Sequence, residues 1–372
     1  MRFIGHFFAG IAVLMGLVGT INYLMDPFDL WSAPLIPGIN AAKSVGNIVY
    51  LKPLQVLMRQ PHTVVLGTSR VQFGIDPKDF PAGERVYNFG VPAAKVSELK
   101  DYTDHILANT PTSTLVIGLD FFSFNDLEMP DSAYRHVTLG RTALWRAVPV
   151  LLFSQAALER SRHTLADSRK KPTGNDRGDG FSVFPIGRSP RADFLATVAR
   201  FVGNDYVYGD YRSFARSMRD YRALLTAARA RGVTVVSYIS PVHAAFLEAI
   251  DCMGLWPTFK AWERELAQVS QEFHVPLWDF AGYNEITTTP LKDGFRTHFD
   301  GSHFRPEIGR LVIARIYGEG EPSTFGIRVD PGNIEAHLAE MEAARERYRV
   351  SNAADVADVA ATVAAMRWRP RE

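Results

Sequence analysis

The feature that most constrains the fold is a run of β-branched and apolar residues, 63–66, that ends abruptly in Gly67, Thr68 and Ser69. A strand buried inside a parallel sheet has such a continuous run, whereas a half-exposed strand alternates apolar and polar residues. Ser69 should therefore follow the carboxyl end of a central strand. Open α/β sheets bind their ligands at that edge.

Similar runs recur along the chain and alternate with segments of helical periodicity. The predicted strands are 63–67, 86–90, 113–120, 233–239 and 275–280. The predicted helices are 93–109, 211–231, 257–272 and 306–317. Because strands alternate with helices, we expect an α/β fold with a mostly parallel sheet and right-handed crossovers.

The N-terminal segment, residues 3–25, contains no Asp, Glu, Lys or Arg. A helix of about 20 mainly apolar residues can cross a bilayer, so this segment predicts a transmembrane anchor. The alternatives are a cleaved signal peptide, for which no Ala-x-Ala-like site follows, and a buried core helix. Arg2 precedes the segment, and Asp26 and Asp29 follow it. We therefore expect a single-pass protein of the cytoplasmic (inner) membrane, with its main domain on the extracytoplasmic, periplasmic side.

The pattern along the chain predicts four parts. These are an anchor (1–25), a proline-containing juxtamembrane connector (26–60), an α/β domain (61–320) and a helical tail (321–372). An insertion at about 126–210 interrupts the domain, and its polar stretch, 168–180, is either an ordinary exposed loop or a lid. The tail has helical segments at 331–349 and 352–366, which either pack on the domain or bind a partner or a membrane surface.

Composition excludes several classes of protein. The 41 Lys and Arg residues nearly balance the 40 Asp and Glu residues, so the net charge of +1 gives no reason to expect nucleic-acid binding. The chain has one cysteine, Cys252, which cannot form an internal disulfide or a multi-cysteine zinc site. No cofactor is predicted.

Three residues have the types needed for nucleophilic catalysis. Asp300 and His303 lie three residues apart in a late loop, and Ser69 lies early in the chain. A serine hydroxyl group needs a general base, and a histidine oriented by a carboxylate supplies one. We predict that Ser69, His303 and Asp300 form a catalytic triad. The structural alternative is that Ser69 caps a helix and His303 lies on the surface.

An oxyanion hole would need donors close to Ser69. The predicted donors are the backbone N–H groups of Ser69 and Gly90 and a side-chain amide, from either Asn88 or Asn125. A turn glycine at Gly90 and a turn cap at Asn88 are the structural alternatives.

Further polar residues follow strand ends and are predicted to contact substrate: Arg70, Asp120 and His243. Arg70 could instead form a salt bridge, and His243 could be a hydrogen-bonded loop residue. His298, Asp300 and His303 offer an alternative set of metal ligands, but no second ligand cluster supports it.

These residues resemble the four conserved blocks of the SGNH (GDSL-like) hydrolase superfamily. The blocks correspond to Leu66-Gly67-Thr68-Ser69, Asn88-Phe89-Gly90, the segment 118–125 and Asp300-Gly301-Ser302-His303. The resemblance implies a three-layer, flavodoxin-like parallel sheet with helices on both faces. The sequence departs from the family in the first block, which usually reads Gly-Asp-Ser, and in the third, where Asp120 replaces an asparagine. Because of that second departure, the side-chain amide of the oxyanion hole would come from Asn125 or Asn88.

The anchor together with Gly-Thr-Ser is similar to the membrane-tethered branch that contains the D-alanyl-lipoteichoic acid biosynthesis protein and the accessory proteins of alginate-type O-acetylation. The resemblance implies a serine esterase or O-acyltransferase that acts through an acyl-enzyme on a cell-envelope polysaccharide or its acyl donor. It also implies a membrane-bound O-acyltransferase as a partner. The alternatives are a catalytically silent scaffold that binds a glycan or such a partner, and a plain envelope lipase or esterase.

Overall fold

The computed structural model describes residues 2–43, 46–127, 138–170, 176–185, 189–293, 296–319 and 325–367. Parts of the predicted insertion, including residues 171–175 of its polar stretch, lie outside the described residues. The chain divides into two compact units. The first comprises Met1–Gln60, Ala108–Thr110 and Asp131–Val183, and the second comprises Pro61–Leu107, Pro111–Pro130 and Phe184–Glu372.

In chain order, the α-helices of the described residues are α1 (Arg2–Met25), α2 (Ile48–Arg59), α3 (Ser69–Gly74), α4 (Val96–Asn109), α5 (Ala143–Phe153), α6 (Gln155–Lys170), α7 (Pro190–Val202), α8 (Ala215–Ala230), α9 (Ala244–Cys252), α10 (Trp256–Phe273), α11 (Pro306–Ile316), α12 (Ile334–Ser351) and α13 (Ala353–Arg367).

Within the described residues, six strands of the second unit form one sheet. They are β1 (Thr63–Gly67), β2 (Val86–Gly90), β3 (Thr114–Leu119), β4 (Thr234–Ile239), β5 (Leu277–Asp279) and β6 (Ile327–Val329). The order is β2-β1-β3-β4-β5-β6, and β1 to β5 pair in parallel. Their order matches that of flavodoxin-like doubly wound sheets. The α/β class and the mostly parallel sheet are confirmed.

The sheet differs from the prediction at one edge. β6 pairs antiparallel to β5, so the sheet is mixed rather than purely parallel. A strand of three residues is too short to show a period in the sequence.

Helices lie against both faces of the sheet, as predicted. Neighbouring residues of a strand point to opposite faces. In β4, Tyr238 belongs to a core cluster with Ile308 and Val312 of α11. One residue earlier, the hydroxyl oxygen of Ser237 lies 2.7 Å from that of Tyr221 in α8. The helices α8 and α11 therefore cover opposite faces.

The C-terminal helices are packed into the second unit. Val359 and Val363 of α13 are buried. In α12, Arg345 Nε lies 3.2 Å and Arg349 Nε lies 2.9 Å from the two carboxylate oxygens of Glu248 in α9. Of the two alternatives for the tail, the structure therefore shows a helix pair that packs on its own unit.

An ion pair between the half-buried His337 and the buried Asp279 joins this tail to the sheet. His337 Nε2 of α12 lies 2.7 Å from Asp279 Oδ2 at the end of β5. Burial lowers the pKa of His337, but the hydrogen bond to Asp279 and the charge of that carboxylate outweigh it and raise the pKa above 6.5. Burial and the charge of Asp279 also raise the pKa of the neighbouring Glu263 in α10.

We expect the His337–Asp279 pair to make stability decrease as the pH rises. Because the folded state binds this proton more tightly, the contribution is complete below about pH 6.5 and is lost as the pH passes the folded-state pKa of His337. His337→Gln should remove this pH dependence. Denaturant unfolding between about pH 6 and pH 9 measures it, with the exposed His163→Gln as the control. An unchanged pH dependence in His337→Gln would contradict the prediction.

In the first unit, the predicted connector 26–60 contains a regular helix, α2, which the sequence prediction missed. Pro53 lies inside it, and a proline in the interior of a segment normally indicates that a helix is interrupted. The core of this unit is formed by side chains from α2, α5 and the segment before α2. Its buried members are Leu30, Leu51, Leu54, Ala143, Ala147 and Leu151.

The N-terminal helix α1 is long and apolar enough to cross a membrane. Of its 24 residues, Gly19 and Asn22 are buried. The Asn22 side-chain amide donates to the carbonyl oxygen of Leu152 at 2.7 Å and accepts from the hydroxyl group of Ser161, also at 2.7 Å. The last two turns of α1 therefore pack against α5 and α6.

Candidate active site

Ser69 lies in a tight turn between β1 and α3. A Cβ atom at Gly67 would overlap the side chain of Val71, so the close approach of the turn requires glycine. Thr68 caps the helix, because its hydroxyl oxygen accepts from the N–H group of Arg70 at 3.1 Å. Ser69 is therefore the first residue of α3, at the carboxyl end of β1.

The side chains of Ser69, His303 and Asp300 come together in the arrangement predicted from the sequence. His303 Nε2 lies 2.8 Å from Ser69 Oγ. On the other side of the ring, His303 Nδ1 lies 2.9 Å and 3.0 Å from the two carboxylate oxygens of Asp300. Serine hydrolases with a Ser-His-Asp triad use a hydrogen-bonded path of this kind to activate the serine.

The surroundings of Asp300 keep it ionised. Burial alone would raise its pKa, but hydrogen bonds from His303 and from the backbone N–H groups of Ser302 and His303 hold the pKa well below 3.8. The two N–H groups lie 2.7 Å and 2.8 Å from Asp300 Oδ1. An ionised carboxylate only accepts hydrogen bonds, so His303 carries its proton on Nδ1 and leaves Nε2 free to accept the proton of Ser69.

Two phenylalanine rings enclose the imidazole ring of His303. The ring centroid of Phe184 lies 4.8 Å from that of His303, and Phe73 makes an edge contact at 5.6 Å. Phe184 also stacks on Phe299 with ring centroids 4.9 Å apart. These contacts restrict the orientation of the histidine and exclude water from one side of it.

A cavity of about 750 Å³ opens at Ser69 and His303. Most of its lining is apolar, and the large side chains that form it are Phe73, Phe122, Phe184, Phe201, Val207 and Phe299. Arg200, whose side chain is 63% exposed, lies at the cavity 3.9 Å from Asp300 Oδ2. The volume is in the usual range for small-molecule sites.

No protein-family model matches this chain, and no curated protein matches its sequence. The resemblance to the SGNH superfamily therefore stays a hypothesis that rests on the four blocks of residues and on the geometry of this site.

The structure contradicts the predicted roles of Asn88 and Gly90 in an oxyanion hole. The Asn88 amide donates to the carbonyl oxygens of Val71 and Ile75, both at 2.7 Å. Its oxygen accepts from the N–H group of Gly90 at 2.9 Å, so that donor is also engaged. Glycine is required at 90 because a Cβ atom there would clash with the backbone of Gln72. Both residues hold α3 against β2.

Asn125 is likewise unsuited to be an oxyanion donor. Its amide group donates to the carbonyl oxygens of Asp205, Val207 and Asp210 at 3.2–3.3 Å. The side chain therefore fixes the segment 205–210. The amide donor that the sequence suggested comes from neither asparagine.

Arg70 and Asp120 form a buried ion pair instead of contacting substrate. Arg70 Nη1 lies 2.7 Å from Asp120 Oδ1, and both side chains are almost fully buried. Arg70 Nε donates to the carbonyl oxygen of Ser302 at 3.0 Å, and Asp120 Oδ2 accepts from the hydroxyl group of Thr68 at 2.6 Å. The pair therefore connects the turn at Ser69, the end of β3 and the loop of His303.

His243 caps helix α9 and does not line the cavity. Its Nδ1 atom accepts from the N–H group of Ala245 at 3.2 Å, and its Nε2 atom lies 2.8 Å from the carbonyl oxygen of Thr289. Burial lowers the pKa of His243 to about 4, so it is neutral near pH 7. His298 packs edge-on against it at 5.2 Å. In the part of the chain that the structure describes, no group of three His, Cys, Asp or Glu residues is placed to hold a metal ion.

Sequence reasoning missed two features of the site. One is the cluster of phenylalanines, which come from segments far apart in the chain and show no common pattern. The other is Ala93, which lines the cavity with a positive φ of 53°. A left-handed conformation is uncommon for alanine, and nothing in the sequence Pro92-Ala93-Ala94 marks it.

Proposed function

We propose that this protein is a serine esterase or acyltransferase in which Ser69 is the nucleophile, His303 the general base and Asp300 the residue that orients the base. The observation that carries the proposal is the continuous hydrogen-bonded path from Ser69 Oγ through the imidazole ring to Asp300, at the opening of a cavity. The catalytically silent alternative does not need this alignment of three buried or half-buried groups.

The reaction follows from the protonation states. His303 Nε2 takes the proton of Ser69 as the oxygen attacks the carbonyl carbon of an ester, and the leaving alcohol takes that proton as the ester C–O bond breaks. The acyl group is then bound to Ser69. Water or a sugar hydroxyl group attacks this acyl-enzyme, with His303 again as the base, and the acid or the new ester is released.

The developing oxyanion needs donors other than the predicted asparagines. Among the described residues, no hydrogen-bond acceptor contacts the backbone N–H groups of Ser69 and Ala93. Both residues line the cavity. We assign the oxyanion to these two N–H groups, which replace the amide of the resembled family.

The apolar cavity supports a substrate with a sizeable apolar acyl group. Phenylalanine side chains cannot satisfy the hydroxyl groups of a sugar, since buried polar groups without partners are costly. The acyl chain therefore occupies the cavity, and the acceptor, water or an envelope polysaccharide, approaches from its opening. An envelope lipid esterase is the second candidate, and the same lining favours it.

The order of the parallel strands and the turn at Ser69 support an SGNH-like fold. The apolar helix α1 supports a single-pass anchor in the cytoplasmic membrane, with the α/β unit on the periplasmic side. A membrane-bound O-acyltransferase remains the proposed partner if the acyl group is transferred to a polysaccharide.

The test is covalent labelling of the full chain in detergent by a fluorophosphonate probe, which reacts with activated serines. We expect labelling at Ser69, located by mass spectrometry of the digested protein, and its loss in Ser69→Ala and in His303→Ala. Ser113→Ala is the matched control, because Ser113 is exposed at the opposite end of the neighbouring strand. A folded protein that stays unlabelled would favour the silent scaffold.

The apolar cavity predicts that activity depends on the length of the acyl chain. Ala196→Trp fills its opening and should lower kcat/KM for p-nitrophenyl octanoate by about 10-fold or more, since each buried methylene contributes about 0.8 kcal/mol. The acetate ester should react almost as before. Ala192→Trp, on the same helix but outside the cavity, is the control, and equal losses for both esters would contradict an acyl-binding role.

A further inference from the structure

Helix α5 is apolar on two opposite faces. Ala143, Ala147 and Leu151 are buried in the core of the first unit. The outer face, defined by Trp145, Pro149, Val150 and Phe153, is exposed. Trp145 is 84% exposed and Val150 is 57% exposed. Exposed apolar patches of this kind mark surfaces that contact a membrane or another molecule.

The outer face adjoins the helix that is able to span a membrane. The ring of Phe153 packs directly on Gly19 of α1, where no Cβ atom would fit. One residue earlier, the carbonyl oxygen of Leu152 accepts from Asn22. The end of α5 is therefore fixed to the last two turns of α1.

The length of α1 sets the depth of this contact. At a rise of 1.5 Å per residue, Gly19 lies about 24 Å and Asn22 about 29 Å along the helix from Phe3. The hydrocarbon core of a bilayer is about 30 Å thick. When α1 spans the membrane from Phe3, Phe153 and the end of α5 are at the opposite boundary of the hydrocarbon core.

The basic and aromatic residues near α5 are of the types found at the boundary of the hydrocarbon core. The helix has one charged residue, Arg146, and Arg141 lies just before it; both are exposed. Tyr23, near the end of α1, is 51% exposed, and its ring centroid lies 5.8 Å from that of Trp31. Tryptophan, tyrosine and basic residues are enriched at the membrane interface, where cations meet lipid phosphates.

We propose that α5 lies in the membrane interface, with its outer face against lipid acyl chains and with Arg141 and Arg146 among the headgroup phosphates. The occupant of the outer face is lipid because this face is continuous with the lipid-exposed surface of α1. The first unit is thus attached to the bilayer at two places. This proposal rests on the insertion of α1 proposed above, and it is independent of the chemistry at Ser69.

The test uses the full chain in vesicles of phosphatidylethanolamine and phosphatidylglycerol. In a Cys252→Ser background, a nitroxide label is attached at Trp145→Cys, Val150→Cys or Phe153→Cys. Glu159→Cys, on the exposed surface of α6, is the aqueous control, and Val13→Cys, exposed on α1, is the immersed reference. Power-saturation spectroscopy then compares collisions with oxygen, which enters lipid, and with a water-soluble nickel chelate.

We expect the three labels on α5 to collide with the chelate several-fold less often than the label at 159, and to collide more with oxygen. If the labels on α5 collide with the chelate as often as the label at 159 while the label at 13 is protected from it, the proposal for α5 is wrong and the insertion of α1 stands. If the label at 13 also collides freely with the chelate, α1 is not inserted in the membrane. Spin–spin broadening with protection from both reagents would indicate a contact between two copies of the chain and would also overturn the proposal.

Discussion

Asp300→Asn is expected to lower kcat for an ester substrate by about 10⁴-fold while the protein stays folded. The asparagine oxygen should occupy the position of Oδ1, because Oδ1 accepts the backbone N–H groups of Ser302 and His303. The amide nitrogen would then occupy the position of Oδ2, which lies 3.0 Å from His303 Nδ1. The amide nitrogen cannot accept from Nδ1, and the oxygen that remains, 2.9 Å from Nδ1, is neutral and already accepts two backbone N–H groups. The tautomer of His303 with its proton on Nε2, in which Nδ1 accepts from the amide, is therefore favoured. That tautomer cannot accept the proton of Ser69.

The control is Asp104→Asn, the same chemical change at an exposed residue paired with Lys100. Its kcat should be unchanged. Steady-state kinetics with a p-nitrophenyl ester measure both variants, and thermal unfolding checks that each is folded. A fully active Asp300→Asn protein would remove Asp300 from the mechanism and leave at most a Ser69–His303 pair.

Arg70→Met is expected to destabilise the protein by about 3–5 kcal/mol, which is the cost of leaving a buried charge without its partner. The substitution leaves Asp120 with the hydroxyl group of Thr68 but without its cation. It also removes the hydrogen bonds from Arg70 Nε to Ser302, in the loop that carries His303. Catalysis should therefore decrease together with stability, although Arg70 does not line the cavity.

Denaturant unfolding of the full chain in detergent measures this loss. The double variant Arg70→Met/Asp120→Asn should recover part of it, because the remaining amide is neutral. Arg310→Ala is the surface control: its side chain is 66% exposed and pairs with Asp79, so its effect should be within about 1 kcal/mol. A single variant as stable as the parent would contradict a structural role for the buried pair.

The sequence was most informative where a local pattern determines the structure. The runs at 63–67 and 86–90 are strands with those bounds, because short runs rich in β-branched and aromatic residues and ended by glycine favour a buried strand. The helix predicted at 306–317 is Pro306–Ile316, because proline favours the first turn of a helix. The spacing of Asp300 and His303 was also informative, because three residues suffice for a tight loop to bring a carboxylate to Nδ1.

The sequence was less informative where a residue's role depends on its partners. Asn88 and Asn125 have the amide that an oxyanion hole needs, but each amide is used by nearby carbonyl groups. Arg70 lies beside Ser69 in sequence, yet its side chain turns inward to Asp120. Only the fold determines which polar groups are already paired. Helix α2 was missed for a related reason, since tertiary packing of Leu51 and Leu54 tolerates the proline between them.

The contacts of Asn22 have a consequence for how the chain is made. Its partners Leu152 and Ser161 lie 130 and 139 residues further along. At about 5–20 residues per second, a ribosome needs roughly 7–28 s to produce that length. Strands β1 to β3 are synthesised during this interval, while Asn22 is still without its final partners. The first unit therefore completes its folding after synthesis of the second has begun.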